Sequence, residues 1–174
     1  MSTGQVLSAT FGDVHVLKFV GSIGYTDEWT FPLSKSLRAY VDNLFQTPAP
    51  GSSVLIDLTE AKGIDSTNLG LLAELGKRCK SGFGTKPTII AQQGRVLNVL
   101  QTMSFQTLFT ILDVDTPIRG ELDSLPDVPD SQVDVAFMIL NAHKNLVSLS
   151  ESNKDRFQIV VEAIEDDLRR KGRL

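Results

Sequence analysis

Apolar residues in the first 115 positions alternate between strand-like and helix-like spacing. The strand-like runs are short and rich in β-branched or aromatic residues, and they cover 5–10, 14–20, 53–58, 87–91 and 108–112. Between them, the 3.6-residue spacing predicts helices over 31–45, from Ser66 to about 80, and over 95–103. Strands that alternate with helices predict an α/β fold with a mostly parallel or mixed sheet.

The pattern changes at Gly120. Residues 121–130 carry two prolines and four acidic residues, which is typical of a linker. Two helical patterns follow, and the second contains Phe157, Val161, Ile164 and Leu168. We predict a domain over 1–119, a linker over 120–130 and a helical hairpin over 131–174. The four named residues are expected to bury against the first tail helix, the domain or a second copy.

Composition narrows the class of partner. The chain has 174 residues, 41% of them hydrophobic, with a net charge of −4 and a pI near 5.1. An acidic protein has no electrostatic reason to bind nucleic acid or an anionic membrane, so a protein partner is expected. No apolar run approaches the ~20 residues that span a bilayer. The N-terminus lacks a signal-peptide pattern, and the single cysteine agrees with a reducing compartment, so a cytoplasmic location is expected.

The candidates for catalysis are few. His15 and His143 lie in different parts of the chain, and each is expected to be a surface or strand residue rather than a base. Cys79 lies on the inward stripe of its helix, where a free cysteine behaves as a small hydrophobe. No phosphate-binding loop and no metal-ligand spacing are present. The sequence therefore predicts a protein that is not an enzyme and needs no cofactor or metal.

The segment 57–72 runs from a buried strand into a helix that opens with Asp65 and Ser66. Ser66 is a favoured helix N-cap, which is sufficient reason for a serine there. A phosphoryl group on Ser66 would lie at the positive end of the helix and add a charge of roughly −1.5 to −2 beside Asp65. The structural and the regulatory interpretation both remain open from spacing alone.

Two leucines in the same helix are placed unusually. With Leu69 at the centre of the buried face, Leu71 lies about 200° and Leu75 about 240° around the helix. Both are therefore expected to face solvent. They would form either a small apolar patch for a partner or a surface that the tail hairpin covers.

Several of these motifs together resemble the STAS domain of bacterial anti-sigma factor antagonists. The similarity is carried by the strand end Ile56-Asp57-Leu58 and by the turn Asp65-Ser66-Thr67-Asn68-Leu69-Gly70. Arg95-Val96-Leu97-Asn98-Val99-Leu100 and Leu108-Phe109-Thr110-Ile111 resemble the third helix and last strand of that domain. The resemblance covers roughly residues 5–115 and implies a STAS-type mixed β-sheet with helices packed on it.

The resemblance also implies a mechanism in transcription regulation. An unmodified antagonist of this family binds an anti-sigma factor that is also a serine kinase. Phosphorylation of the serine after the aspartate, here Ser66, ends that binding, and a PP2C-type phosphatase restores it. The residues expected to contact the partner are Asp65, Ser66, Thr67, Asn68, Leu71, Leu75, Ser22 and Gly24.

Two positions and the tail depart from the family pattern. Gly24 stands where an aspartate usually helps to form the partner surface, and Asn68 stands where glycine is common. The tail from Gly120 has no counterpart in the minimal domain. An alternative function is therefore a structural subunit of a larger complex that docks, or forms a homodimer, through the hairpin.

Overall fold

Six strands form one mixed sheet in the computed structural model, which describes residues 4–24 and 31–174. In chain order they are β1 (Gln5–Phe11), β2 (Val14–Ile23), β3 (Ser53–Ile64), β4 (Thr88–Ala91), β5 (Thr110–Asp113) and β6 (Asp123–Ser124). The order across the sheet is β5-β4-β3-β2-β1-β6. Strands β2 to β5 run parallel, whereas β1 is antiparallel to β2 and to β6. The predicted α/β fold with a mixed sheet is confirmed.

The helices follow the spacing of the sequence closely. They are α1 (Pro32–Leu44), α2 (Ser66–Arg78), α3 (Arg95–Thr102), α4 (Val135–Val147) and α5 (Glu151–Arg170). A π-helical turn over Cys79–Phe83 prolongs α2 and ends at Gly84 in the left-handed conformation. Helices α4 and α5 form the predicted C-terminal hairpin. Within 4–24 and 31–174, no helix is long and apolar enough to cross a membrane.

The main core lies on one face of the two central strands. Paired residues share a face of a parallel sheet, so Leu17 of β2 and Ile56 of β3 point the same way, and both are completely buried. Leu37 of α1 and Leu72 of α2 belong to the same core. The alternation of the strand residues thus sets the face on which α2 lies.

Strands β5 and β6 occupy opposite edges of the sheet, and the segment that connects them crosses the other face of the sheet. Lys18 and Asp57 are register partners on this face, and both are buried. The N–H of Ile118 donates to Asp57 Oδ2 at 2.8 Å, and Ile118 O accepts from Lys18 Nζ at 2.9 Å. One buried carboxylate and one buried ammonium group therefore hold the crossing segment against the sheet.

Residues 120–130, predicted as a linker, contain a short stretch of ordered pairing. Strand β6 pairs with Leu7 and Ser8 of β1, and Leu125 N–H donates to Val6 O at 3.1 Å. Leu125 itself is buried at 9% exposure. The segment is thus attached to the sheet edge before the hairpin begins. The division into separately folding units stays a prediction.

Helix α4 of the hairpin packs against α2 with one side and against α5 with the other. Met138, Ala142 and Leu146 recur at four-residue spacing along α4, and all three are buried. Leu140 forms a second small core with Val161 and Leu168 of α5. The predicted burial in α5 is confirmed, with Phe157, Val161 and Leu168 buried and Ile164 half-buried.

Cys79 is completely buried at the end of α2, and burial raises the pKa of its thiol to about 12. A raised thiol pKa keeps the group protonated and unreactive at pH 8. We expect alkylation of the native protein by iodoacetamide at pH 8 to be at least ~100-fold slower than that of the urea-unfolded chain. Mass spectrometry at timed intervals measures this ratio. Equal labelling rates would show that the α2 C-terminus opens freely.

Candidate functional site

Helix α2 begins at the end of the sheet where the carboxyl ends of the central strands β2 and β3 lie. The N–H of Asp65 donates to Ile23 O at 2.9 Å, which joins the two strand ends. Asp65 has extended backbone angles, and its carboxylate accepts from the N–H of Asn68 at 2.9 Å. Asp65 is therefore the N-cap, and the prediction that Ser66 caps the helix is wrong. Ser66 is the first helical residue, so its hydroxyl is free for another partner.

That partner is His143, in the first helix of the tail. Ser66 Oγ lies 2.9 Å from His143 Nε2, and His143 Nδ1 lies 2.8 Å from Ile139 O. A carbonyl can only accept, so Nδ1 carries a proton, and in a neutral imidazole Nε2 is then the acceptor. In that tautomer the Ser66 hydroxyl donates the hydrogen bond and His143 Nε2 accepts it. The expectation of a surface position for His143 is wrong, because the residue is 5% exposed.

The next two residues of the motif face inward. Thr67 is 5% exposed and Asn68 is completely buried. Asn68 Nδ2 donates to Asp65 Oδ1 at 2.8 Å, and Asn68 Oδ1 accepts from the hydroxyl of Ser34 in α1 at 3.2 Å. The asparagine thus joins the N-cap of α2 to α1. Glycine in its place could not make this connection.

Ser22 and Gly24 lie beside the N-cap, at the end of β2. Ser22 is exposed and Gly24 is half-buried. A Cβ atom at position 24 would lie 3.2 Å from Asp65 Oδ2. A family-type aspartate there would set a second carboxylate close to the first, and like charges so near repel. The predicted residues Ser22, Gly24, Asp65 and Ser66 are brought together at this end of the sheet; residues 25–30 lie outside the described part of the chain.

Leu71 and Leu75 are completely buried, so the expectation that they face solvent is wrong. They share a stripe of α2 with Asn68 and Arg78, at spacings of three and four residues. Asn68 bonds to Ser34 of α1, and Arg78 Nη1 lies 2.9 Å from Asp42 Oδ1 of the same helix. The stripe therefore faces α1, which covers it instead of solvent or the tail.

A different stripe of α2 faces α4. It contains Ser66, Gly70 and Lys77, at spacings of four and seven residues. Lys77 Nζ lies 3.0 Å from Asn145 Oδ1 near the C-terminus of α4, where a positive charge is favoured. Burial is the main cause that lowers the pKa of Lys77, against an opposing effect of Glu74. Helix α2 is thus enclosed by the sheet, by α1 and by α4.

A cleft of about 560 Å³ lies between α1, α2 and the start of the hairpin. The charged residues Arg38, Asp42 and Glu74 line it. Arg38 Nη2 lies 2.7 Å from Asp42 Oδ1 and Arg38 also forms an ion pair with Glu74, so these charges satisfy one another. Within the described ranges, no group of three or more His, Cys, Asp or Glu side chains is placed to hold a metal ion.

Comparison with known proteins gives a distant structural similarity. No protein-family model matches the chain, and no curated protein matches it. Solved structures that match include an uncharacterised protein of the DUF3478 family with a SpoIIAA-like fold from Shewanella loihica PV-4. It is 18% identical, over 66% of this chain and 92% of that protein, with a TM-score of 0.43. A similarity this distant transfers no function to the chain.

Proposed function

We propose that this protein is a regulatory binding module of the STAS type, switched by phosphorylation of Ser66. The observation that supports the proposal most directly is the placement of Ser66. The residue is half-buried and stands at the first position of α2, directly after the Asp65 cap, at the carboxyl ends of β2 and β3. This is the arrangement that the resemblance to the STAS domain implies. The partner of the protein would be a serine kinase that is also an anti-sigma factor.

Phosphorylation would strongly change the charge of the surface around Ser66. The kinase would join the γ-phosphorus of ATP to Ser66 Oγ, with ADP leaving and the hydroxyl proton passing to a base of the kinase. The product carries a charge of roughly −1.5 to −2 beside the carboxylate of Asp65. The free N–H groups at the helix N-terminus favour such an anion within the protein. A partner that buries this surface would have to desolvate the charge, so binding would weaken. A PP2C-type phosphatase would restore it.

A binding role agrees better with the geometry than catalysis does. Ser66 and His143 lie within hydrogen-bonding distance, as a nucleophile and its base do. The group that orients His143 is however the backbone carbonyl of Ile139. The imidazole is buried, and its centroid lies 5.8 Å from that of the Phe157 ring in an edge-on arrangement. A carboxylate in that position would stabilise an imidazolium ion, whereas a neutral carbonyl does so weakly. We therefore propose a non-enzymatic protein that acts in the cytoplasm without a cofactor.

Ser66→Ala tests the modification site. We expect a mass increase of one phosphoryl group on the wild type after incubation with ATP and a lysate of the source cells, and none on the variant. Thr67 should stay unmodified because it is buried. The variant should lose about 1–3 kcal/mol of unfolding free energy, since His143 Nε2 is left buried without its donor.

The matched control is Ser152→Ala, which changes an exposed serine in the first turn of α5. It should be phosphorylated like the wild type and be equally stable. Phosphopeptide mapping then gives the position of the group. A phosphoryl group on Thr67, or on the Ser66→Ala protein, would contradict the proposed switch and leave the fold unaffected.

A further inference from the structure

Helix α4 covers the face of α2 that carries Ser66. Three points of contact follow one another along α2, at Ser66, Gly70 and Lys77, and each meets a residue between 142 and 145 of α4. Met138 and Leu146 of α4 belong to the main hydrophobic core together with Leu69 and Leu72 of α2. The hairpin is therefore docked on α2 by apolar burial and by polar contacts near both ends of the face.

The two helices approach closely at Gly70. A Cβ atom at this position would lie 2.7 Å from the Cα of Ala142 and would also collide with the carbonyl group of that residue. Since the colliding atoms belong to a helix backbone, they cannot move aside as a flexible side chain could. The docked position of α4 thus requires the absence of a side chain at 70. Ser66, one turn earlier, is half-buried beside the same helix.

A phosphoryl group is incompatible with this contact for two reasons. The ester oxygen of phosphoserine has no proton, so it cannot donate to His143 Nε2 as the Ser66 hydroxyl does when the imidazole proton is on Nδ1. The added group also brings a charge of roughly −1.5 to −2 and four heavy atoms into a contact where Ser66 Oγ and His143 Nε2 are 2.9 Å apart. A closely packed interface accommodates such a volume only when the helices separate.

We infer that modification of Ser66 and docking of α4 on α2 exclude each other, so that the hairpin is an internal cover of the switch site. This inference rests on the proposed function for its biological meaning. Its physical content concerns only the two helices. In the closed form α4 covers the α2 face, so the kinase binds the unmodified protein and reaches Ser66 only after α4 has opened. Opening exposes that face, and the modified serine then prevents α4 from returning.

The contacts of α4 also define what can replace it. The face of α2 that α4 covers can accept one helix. It lacks a side chain at Gly70, and it has a hydrogen-bond donor at Ser66 and a cation at Lys77. A partner that displaces α4 should therefore present an apolar helix with a small residue at the crossing point. Its C-terminal end should lie near Lys77, where carbonyl oxygens attract the ammonium group.

The first test is Ser66→Asp in the full chain, measured by hydrogen–deuterium exchange with mass spectrometry. We expect the backbone amides of α4 (Val135–Val147) to exchange at least 10-fold faster than in the wild type. The amides of β3 (Ser53–Ile64) should be unchanged, which distinguishes opening from global unfolding. The charge-matched control, Ser152→Asp at the exposed start of α5, should exchange like the wild type. Unchanged or slower exchange in α4 would show that α4 stays docked beside the anion, and would overturn the inference.

Gly70→Ala opens the contact without any added charge and keeps Ser66 intact. Alanine favours the helical state of α2, so the variant should fold, while its methyl group collides with Ala142. We expect faster exchange in α4 and, with ATP and lysate, at least a 5-fold faster phosphorylation of Ser66. Faster exchange with an unchanged phosphorylation rate would overturn the masking of Ser66. If neither protein is phosphorylated, the proposed function fails, and the exchange data on Ser66→Asp still decide whether the two states exclude each other.

Discussion

Leu71→Glu is expected to destabilise the protein by at least about 4 kcal/mol, or to leave it largely unfolded. Leu71 is completely buried on the stripe of α2 that faces α1. The change removes a buried apolar side chain, which alone lowers the unfolding free energy by about 2–5 kcal/mol. It also places a carboxylate within the hydrophobic core, where a charge is poorly solvated. Since domains are stable by about 5–15 kcal/mol, a loss of this size approaches the total. Urea unfolding followed by circular dichroism measures it.

Ile159→Glu is the control for this experiment. Ile159 lies within α5 and is 72% exposed, so the same kind of change at an exposed helix position should stay within about 0.5 kcal/mol of the wild type. If Leu71→Glu were as stable as this control, Leu71 would face water, and the packing of α1 on α2 described above would be incorrect.

Asp57→Ala is the second change for which we expect a large effect, about 2–4 kcal/mol. The carboxylate is completely buried and accepts from Thr59 N–H at 2.9 Å, from the Thr59 hydroxyl at 2.6 Å and from Ile118 N–H at 2.8 Å. Alanine leaves these donors without their acceptor, while Lys18 keeps its ion pair with Glu60 at 2.5 Å. Hydrogen exchange of residues 114–119 should rise together with the loss of stability.

Asp115→Ala provides the comparison. Asp115 lies on the same crossing segment but is exposed, and its carboxylate accepts from the hydroxyl of the neighbouring Thr116 at 3.3 Å. Its removal should leave the urea midpoint unchanged. An Asp57→Ala protein with wild-type stability and unchanged exchange at 114–119 would show that the segment is held by other contacts.

The strands and helices could be predicted because their apolar spacing is local. The predicted helix over 31–45 is observed over Pro32–Leu44, and the helix predicted to begin at Ser66 does so. The crossing of the sheet between β5 and β6 could not be predicted, since it depends on which edge each strand occupies. The role of Asp57 as an acceptor for Ile118, 61 residues away, could not be predicted for the same reason.

The error at Leu71 has a specific physical cause. A helical wheel centred on Leu69 assumes one buried face, as for a helix at the surface of a sheet. Helix α2 is covered on further sides, and a helix that is apolar on several sides is itself a signal of burial. Leu69, Leu71, Leu72 and Leu75 together carried that signal, and all four are buried.

The error at Ser66 was of another kind. Asp65 and Ser66 are both good N-cap residues, and the choice between them depends on backbone angles that the sequence does not specify. The contact with His143 joins residues 77 positions apart in the chain, and no local pattern marks it.

Because α4 is part of the same chain as α2, it has an advantage over a helix of a partner protein in binding the α2 face. A tethered segment acts at an effective concentration that reaches millimolar values for short connections, whatever the cellular abundance of the partner. If the open form is about 1% of the population, the apparent affinity of a partner for the α2 face is reduced about 100-fold, which corresponds to about 2.7 kcal/mol. Variation in the hairpin alone can therefore adjust the threshold concentration of the partner, while the residues of the contacted face stay unchanged.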